Sequence, residues 1–169
     1  MNKQTIHFDM EVFQGYTCIG CAVVNDLALE VEFTDEEIAL MKQLVCKLDE
    51  TLYSEGIMPV LKDDAPEIYD RMEEAARNEI FDFLVIDGIR QGYIEFEEDE
   101  LQSNFRKDFG IGDDEEVVED SYSEWYDEEM DRIRCSGLAW IRARYSVDNQ
   151  VNMDVIPDYT VDIPVNFLS

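Results

Sequence analysis

A chain of 169 residues that is 46% hydrophobic and 11% aromatic can close a core of its own, which excludes a wholly disordered polymer. It carries 41 Asp and Glu against 13 Lys and Arg, a formal net charge of −28. Such a field repels DNA, RNA and anionic membrane surfaces, so direct engagement of any of them is not expected. The length suits one acidic domain over residues 1–169. Met1 to Met10 holds no apolar stretch of the secretory kind, and no apolar run approaches the roughly 20 residues that span a bilayer. The expected setting is cytoplasmic, with Cys18, Cys21, Cys46 and Cys135 reduced.

Thr5 to Phe13 alternates, with Ile6, Phe8, Met10 and Val12 on one side and His7, Asp9 and Glu11 on the other, which predicts a half-buried strand. Tyr16 to Val24 reads as a second strand and Asn25-Asp26 as a turn. Leu27, Leu29, Val31 and Phe33 then mark a third, completing an antiparallel meander. Thr34 and Glu37 have the spacing of a capping box. Ile38, Met41, Val45, Leu48 and Leu52 follow at helical spacing, with Gly56 as the stop and Pro59 opposing resumption. Asp64 and Pro66 open a second helix, lined by Ile68, Met72, Ala75, Ala76, Ile80 and Phe83, that ends near Gly88 or Gly92.

A short helix is predicted over Leu101 to Phe109, after the acids Glu95, Glu97, Glu98, Asp99 and Glu100. Asp113 to Asp120 is mostly acid. Ser121 and Glu124 then suggest a cap for a helix carrying Trp125, Met130 and Ile133 that stops at Gly137. Alternation over Ala139 to Tyr145 and over Val151 to Val155 predicts strands on either side of an Asp148-Asn149 turn. Tyr159 to Phe167, with Pro157 and Pro164 about it, reads as an edge segment. The expected fold is α+β: one mainly antiparallel sheet, made by the N-terminal meander and the C-terminal strands, with three or four helices packed on one face.

Cys18 and Cys21, separated by two residues, have a spacing that redox exchange or zinc can use. Ala22, Val23 and Val24 read as strand, however, whereas a reactive thiol pair needs a helix N-terminus. His7 is the only histidine, so any imidazole chemistry must pass through it. No phosphate-binding Gly loop, nucleophile elbow or calcium-loop spacing occurs, and no cofactor is expected. Arg142 and Arg144 are expected to pair with acids on the first or third strand and relieve repulsion.

The distinctive feature is acid mixed with aromatic residues: Asp113, Asp114, Glu115, Glu116, Glu119 and Asp120 beside Tyr122, Trp125 and Tyr126. Charge speeds encounter with a basic protein, and aromatic side chains supply contact energy. The expectation is a non-enzymatic binding protein for a basic protein partner, either of the immunity-protein or inhibitor type or a nucleic-acid mimic. The alternative is a metal- or thiol-dependent protein built on Cys18, Cys21 and His7.

Overall fold

The computed structural model describes residues 2–15, 22–46, 56–112, 114–151, 156–164 and 167. They fall into two compact units, one formed by Met1–Ile80 with Asp154–Ser169, the other by Phe81–Met153. The class is α+β, with one open antiparallel sheet.

In the first unit, β1 (Lys3–Gly15) pairs along its whole length with β2 (Ala22–Thr34), and β3 (Asp158–Val161) adds to the other side of β1, giving the order β2-β1-β3. The predicted meander is therefore corrected. Asn25 and Asp26 do not turn; they continue β2 opposite Val12 and Glu11. The alternation Leu27, Leu29, Val31, Phe33 extends in phase through Asn25, and thirteen paired rungs outweigh the weak strand preference of Asn and Asp. The third strand comes instead from the C-terminal segment, at the edge, as Pro157 and Pro164 suggested.

Ile6, Phe8, Met10 and Val12 of β1 and Leu29, Val31 and Phe33 of β2 share the buried face, where Phe8 meets Phe33 edge-on at 6.2 Å. Three helices complete this core: α1 (Asp35–Cys46) through Ile38, Met41, Leu44 and Val45; α2 (Met58–Asp64) through Met58 and Leu61; and α3 (Pro66–Gln91) through Ile68, Met72, Ala76 and Ile80. Pro59 does not prevent α2. It sits in the first turn, where its missing N–H has no partner to lose. Leu48 and Leu52 lie outside the described residues.

The capping box at Thr34 is formed in both directions. The Thr34 amide donates to Glu37 Oε1 at 3.0 Å, and the Glu37 amide donates to Thr34 Oγ1 at 3.2 Å. Arg71 also donates to Glu37, at 2.9 Å. That hydrogen bond, opposed by partial burial and aided by Thr34, holds the Glu37 carboxyl below the ordinary carboxylate value. Thr34→Ala is expected to cost about 1 kcal/mol. A thermal melt should read this as a fall of roughly 2–4 °C; an unshifted midpoint would show that the box adds nothing to the tertiary packing.

The second unit holds the rest of α3, α4 (Glu98–Phe109), α5 (Glu119–Cys135), α6 (Leu138–Arg144) and a 3₁₀ turn, Asp148–Gln150. The described residues thus contain six α-helices, not three or four. Leu138 to Arg144 is helix where alternation predicted strand. Ala139 and Ala143, which a strand would bury beside Ile141, are exposed, and Leu, Ala and Arg favour helix. Ser121 is not the cap of α5, which starts two residues earlier from an extended Val118 with Glu119 and Asp120 in its first turn. The predicted strand after Val151 falls on residues 152–155, outside the described part. The core here is Val85, Ile94, Leu101, Phe105, Trp125, Ile133, Ile141, Tyr145 and Val147.

Candidate functional site

The acidic-aromatic segment folds as the loop after α4 and the helix α5. Gly110, at a φ of 65°, closes α4. Arg106 then gathers the following loop by donating from one guanidinium nitrogen to the Gly112 carbonyl and to the Glu115 carbonyl, the latter at 2.8 Å. This leaves Asp114, Glu115 and Glu116 exposed, followed by exposed Glu119 and Asp120. Asp113 lies outside the described residues.

The three aromatic residues of the segment divide. Trp125 is only 3% exposed: its ring packs edge-on against Phe105 at 5.5 Å and its Nε1 donates to Asp108 at 2.9 Å. Tyr122 is half-buried, meets Phe105 edge-on at 5.4 Å, lies tilted against Tyr126 at 6.3 Å, and donates its hydroxyl to Glu98 at 2.9 Å. Burial first, and the neighbouring Glu98 carboxylate second, push the Tyr122 hydroxyl well above the ordinary tyrosine range. Tyr126 is 38% exposed, and Val118, the extended residue just before α5, is 65% exposed. Trp125 therefore positions this surface from beneath, while Tyr126 and Val118 present apolar area to solvent.

Beneath α5 lies a network that sequence reasoning missed. Glu129 is fully buried and accepts hydrogen bonds from Arg144 at 2.6 Å and from the Tyr145 hydroxyl. Arg144 also reaches Asp108 at 2.9 Å, and Arg132 approaches Glu129 at 3.4 Å. Burial alone would lower the Arg144 pKa, but Asp108 and Glu129 outweigh it and keep the guanidinium charged. Asp108 is held below the ordinary carboxylate value: desolvation works against this, and the hydrogen bonds from Arg144 and Trp125 prevail. The available signal was spacing, since Trp125, Glu129 and Ile133 fall four apart on the buried stripe of α5.

Arg142 bridges Asp82 at 2.8 Å and Asp148 at 2.9 Å, and Arg134 pairs with Asp131 at 3.7 Å. The expected relief of repulsion by Arg142 and Arg144 thus occurs, with partners on α3, α4, α5 and the 3₁₀ turn rather than on strands. The cations of this unit are largely consumed inside it. By contrast, the side chains of Asp114, Glu115, Glu116, Glu119 and Asp120 form no ion pair among the described residues. Charge alone does not single out this unit: it has 20 acids and seven bases, and the other has 21 and six.

A groove of about 400 Å³ opens in the same unit, with Ile94, Leu101 and Ile133 as its floor and Ile89, Phe96, Met130 and Tyr126 as its walls. Glu95 and Arg134 stand at its rim.

His7 is exposed, with Nδ1 3.2 Å from Glu30. Cys18 and Cys21 lie outside the described residues, and Cys46 and Cys135 are free and exposed. Among the described residues no three His, Cys, Asp or Glu side chains gather in a way that could hold a metal ion. No described helix is long and apolar enough to cross a membrane.

No protein-family model matches the chain, and neither a curated protein nor a solved structure does.

Proposed function

We propose that the chain is a non-enzymatic acidic binding protein that engages a basic protein through the surface made by the loop before α5 and by α5 itself. The observation that carries this reading is a contrast within one unit. Arg132, Arg134, Arg142 and Arg144 are engaged by acids, whereas Asp114, Glu115, Glu116, Glu119 and Asp120 stand exposed and unpaired among the described residues, beside exposed Val118 and Tyr126. Long-range charge attracts a cationic protein, and the apolar groups supply short-range contact that charge alone does not. An immunity protein or inhibitor that covers a basic active site fits this surface. So does a mimic whose carboxylates take the place of phosphates.

The test is localisation. A Lys/Arg-rich peptide is titrated against the chain, against a variant carrying Asp114→Asn, Glu115→Gln, Glu116→Gln, Glu119→Gln and Asp120→Asn, and against a control. The control neutralises the same number of exposed acids in the other unit: Asp9, Asp26, Glu30, Glu32 and Glu67. The first variant should lose about tenfold in affinity, equivalent to about 1.4 kcal/mol. The control should lose much less, and wild-type binding should weaken steeply with added salt. Equal losses in both variants would mean that the whole charged body attracts the peptide and that α5 has no special part in it.

A further inference from the structure

We infer that the groove beside α5 seats an apolar side chain from a cationic amphipathic segment of the basic partner; this rests on the reading above and assigns the anchor point. The groove belongs wholly to the second unit, between the end of α3 with the turn that follows it, the start of α4, and the middle of α5. Its floor residues Ile94, Leu101 and Ile133 are buried members of the core. Ile89, Phe96 and Met130 are half-covered, and Tyr126 leans out at one side. Tyr93, adjoining the floor residue Ile94, is 72% exposed. Apolar area gathered in a concavity and rimmed by charge marks a contact surface more than isolated exposed side chains do.

The rim selects the occupant. Glu95, Glu97 and Glu98 flank Phe96, and Asp127 and Asp131 flank Met130 along α5; all five are exposed. Arg90 and Arg134 are the cations nearby in sequence, and Arg134 is already engaged by Asp131. With the Asp131–Arg134 pair set aside, Glu95, Glu97, Glu98 and Asp127 beside the lining outnumber Arg90, so an apolar anchor is accepted best when Lys or Arg surround it. A second copy of this chain would bring another net charge of −28 and is repelled. The volume suits one or two large side chains, such as Leu or Trp on a helix with a cationic opposite face.

Two synthetic peptides of equal length and equal Lys count provide the probe. One places Leu at helical spacing among the lysines; the other has Ser in place of each Leu. Fluorescence anisotropy against the whole chain should show the Leu peptide binding about tenfold tighter than the Ser peptide, or about 1.4 kcal/mol. That advantage should persist when salt weakens both. It should disappear in Tyr126→Ala and, separately, in Met130→Gln. Tyr126 is partly exposed, so its variant retains the fold, and circular dichroism checks both. Equal binding of the two peptides overturns the groove assignment and leaves the acidic reading standing, as does a Leu advantage that survives both variants. Failure of both peptides to bind defeats the acidic reading and this inference with it. A concentration-dependent dimer that Tyr126→Ala dissociates assigns the groove to a second copy and overturns the cationic occupant.

Discussion

Replacing Arg144 by Met should destabilise the second unit by about 3 to 5 kcal/mol, although the side chain it removes lies at the edge of the core. Arg144 is the main counter-charge of Glu129, a carboxylate with no exposure at all. Without it, Glu129 keeps the Tyr145 hydroxyl and a distant Arg132 at 3.4 Å, and Asp108 loses its cation as well. Arg142→Met is the comparison. Arg142 bridges two acids about half-exposed, Asp82 and Asp148, so its loss should cost no more than about 1 kcal/mol. Denaturant midpoints followed by Trp emission would separate the two, because Trp125 donates to Asp108 and reports on this network. Equal costs would show that Glu129 finds other partners on relaxation. Acid should act in the same direction. The native pKa of Asp108 lies below its ordinary value of 3.8, so the stability it contributes is complete above that pH and is lost as pH falls through the lower native value. Removing Arg144 should therefore flatten the acid limb of the stability curve below about pH 3.8.

What could be read along the chain was local or periodic. The Thr34–Glu37 box forms because both partners lie within four residues, so no tertiary information is needed to see it. The faces of β1 and β2 followed from a period of two that one buried side imposes. The same rule failed over Leu138 to Arg144. The alternation of Ala139, Ile141, Ala143 and Tyr145 fits a strand, but Ala139 and Ala143 are exposed while Ile141 is buried, a distinction among apolar residues that only folding makes. Asn25 and Asp26 were read by turn propensity, but a paired neighbour on β1 overrode it. Glu129 was hidden among acids of identical chemistry. In Asp113 to Asp131, eleven of 19 residues are acidic and none is basic, so composition could not mark the one that goes inside. The groove was not legible because its lining comes from positions as far apart as Ile89 and Ile133. The segment proposed as partner-binding also proved to hold two kinds of aromatic residue. Trp125 builds the surface from below, and Tyr126 meets solvent.

Gly56→Ala should be the most damaging small substitution in the first unit, at about 3 kcal/mol, and Gly92→Ala the matched control at about 1 kcal/mol. Both glycines sit in the left-handed region, at φ values of 78° and 80°. Conformational strain is therefore common to both, and their surroundings differ. Around Gly92 a new Cβ meets nothing within 4 Å. At Gly56 it runs into the backbone carbonyl of Val161, the same oxygen that accepts a hydrogen bond from the Ile57 amide at 3.0 Å. Relief requires that contact to open. Val161 is the residue of β3 that pairs with Met10 in the centre of the core, so the disturbance reaches the sheet edge. Thermal melts should separate the variants, since each kcal/mol is worth roughly 2–4 °C for a chain of this size. Equal shifts would mean that the close approach of Gly56 to β3 relaxes freely and that only the backbone strain counts.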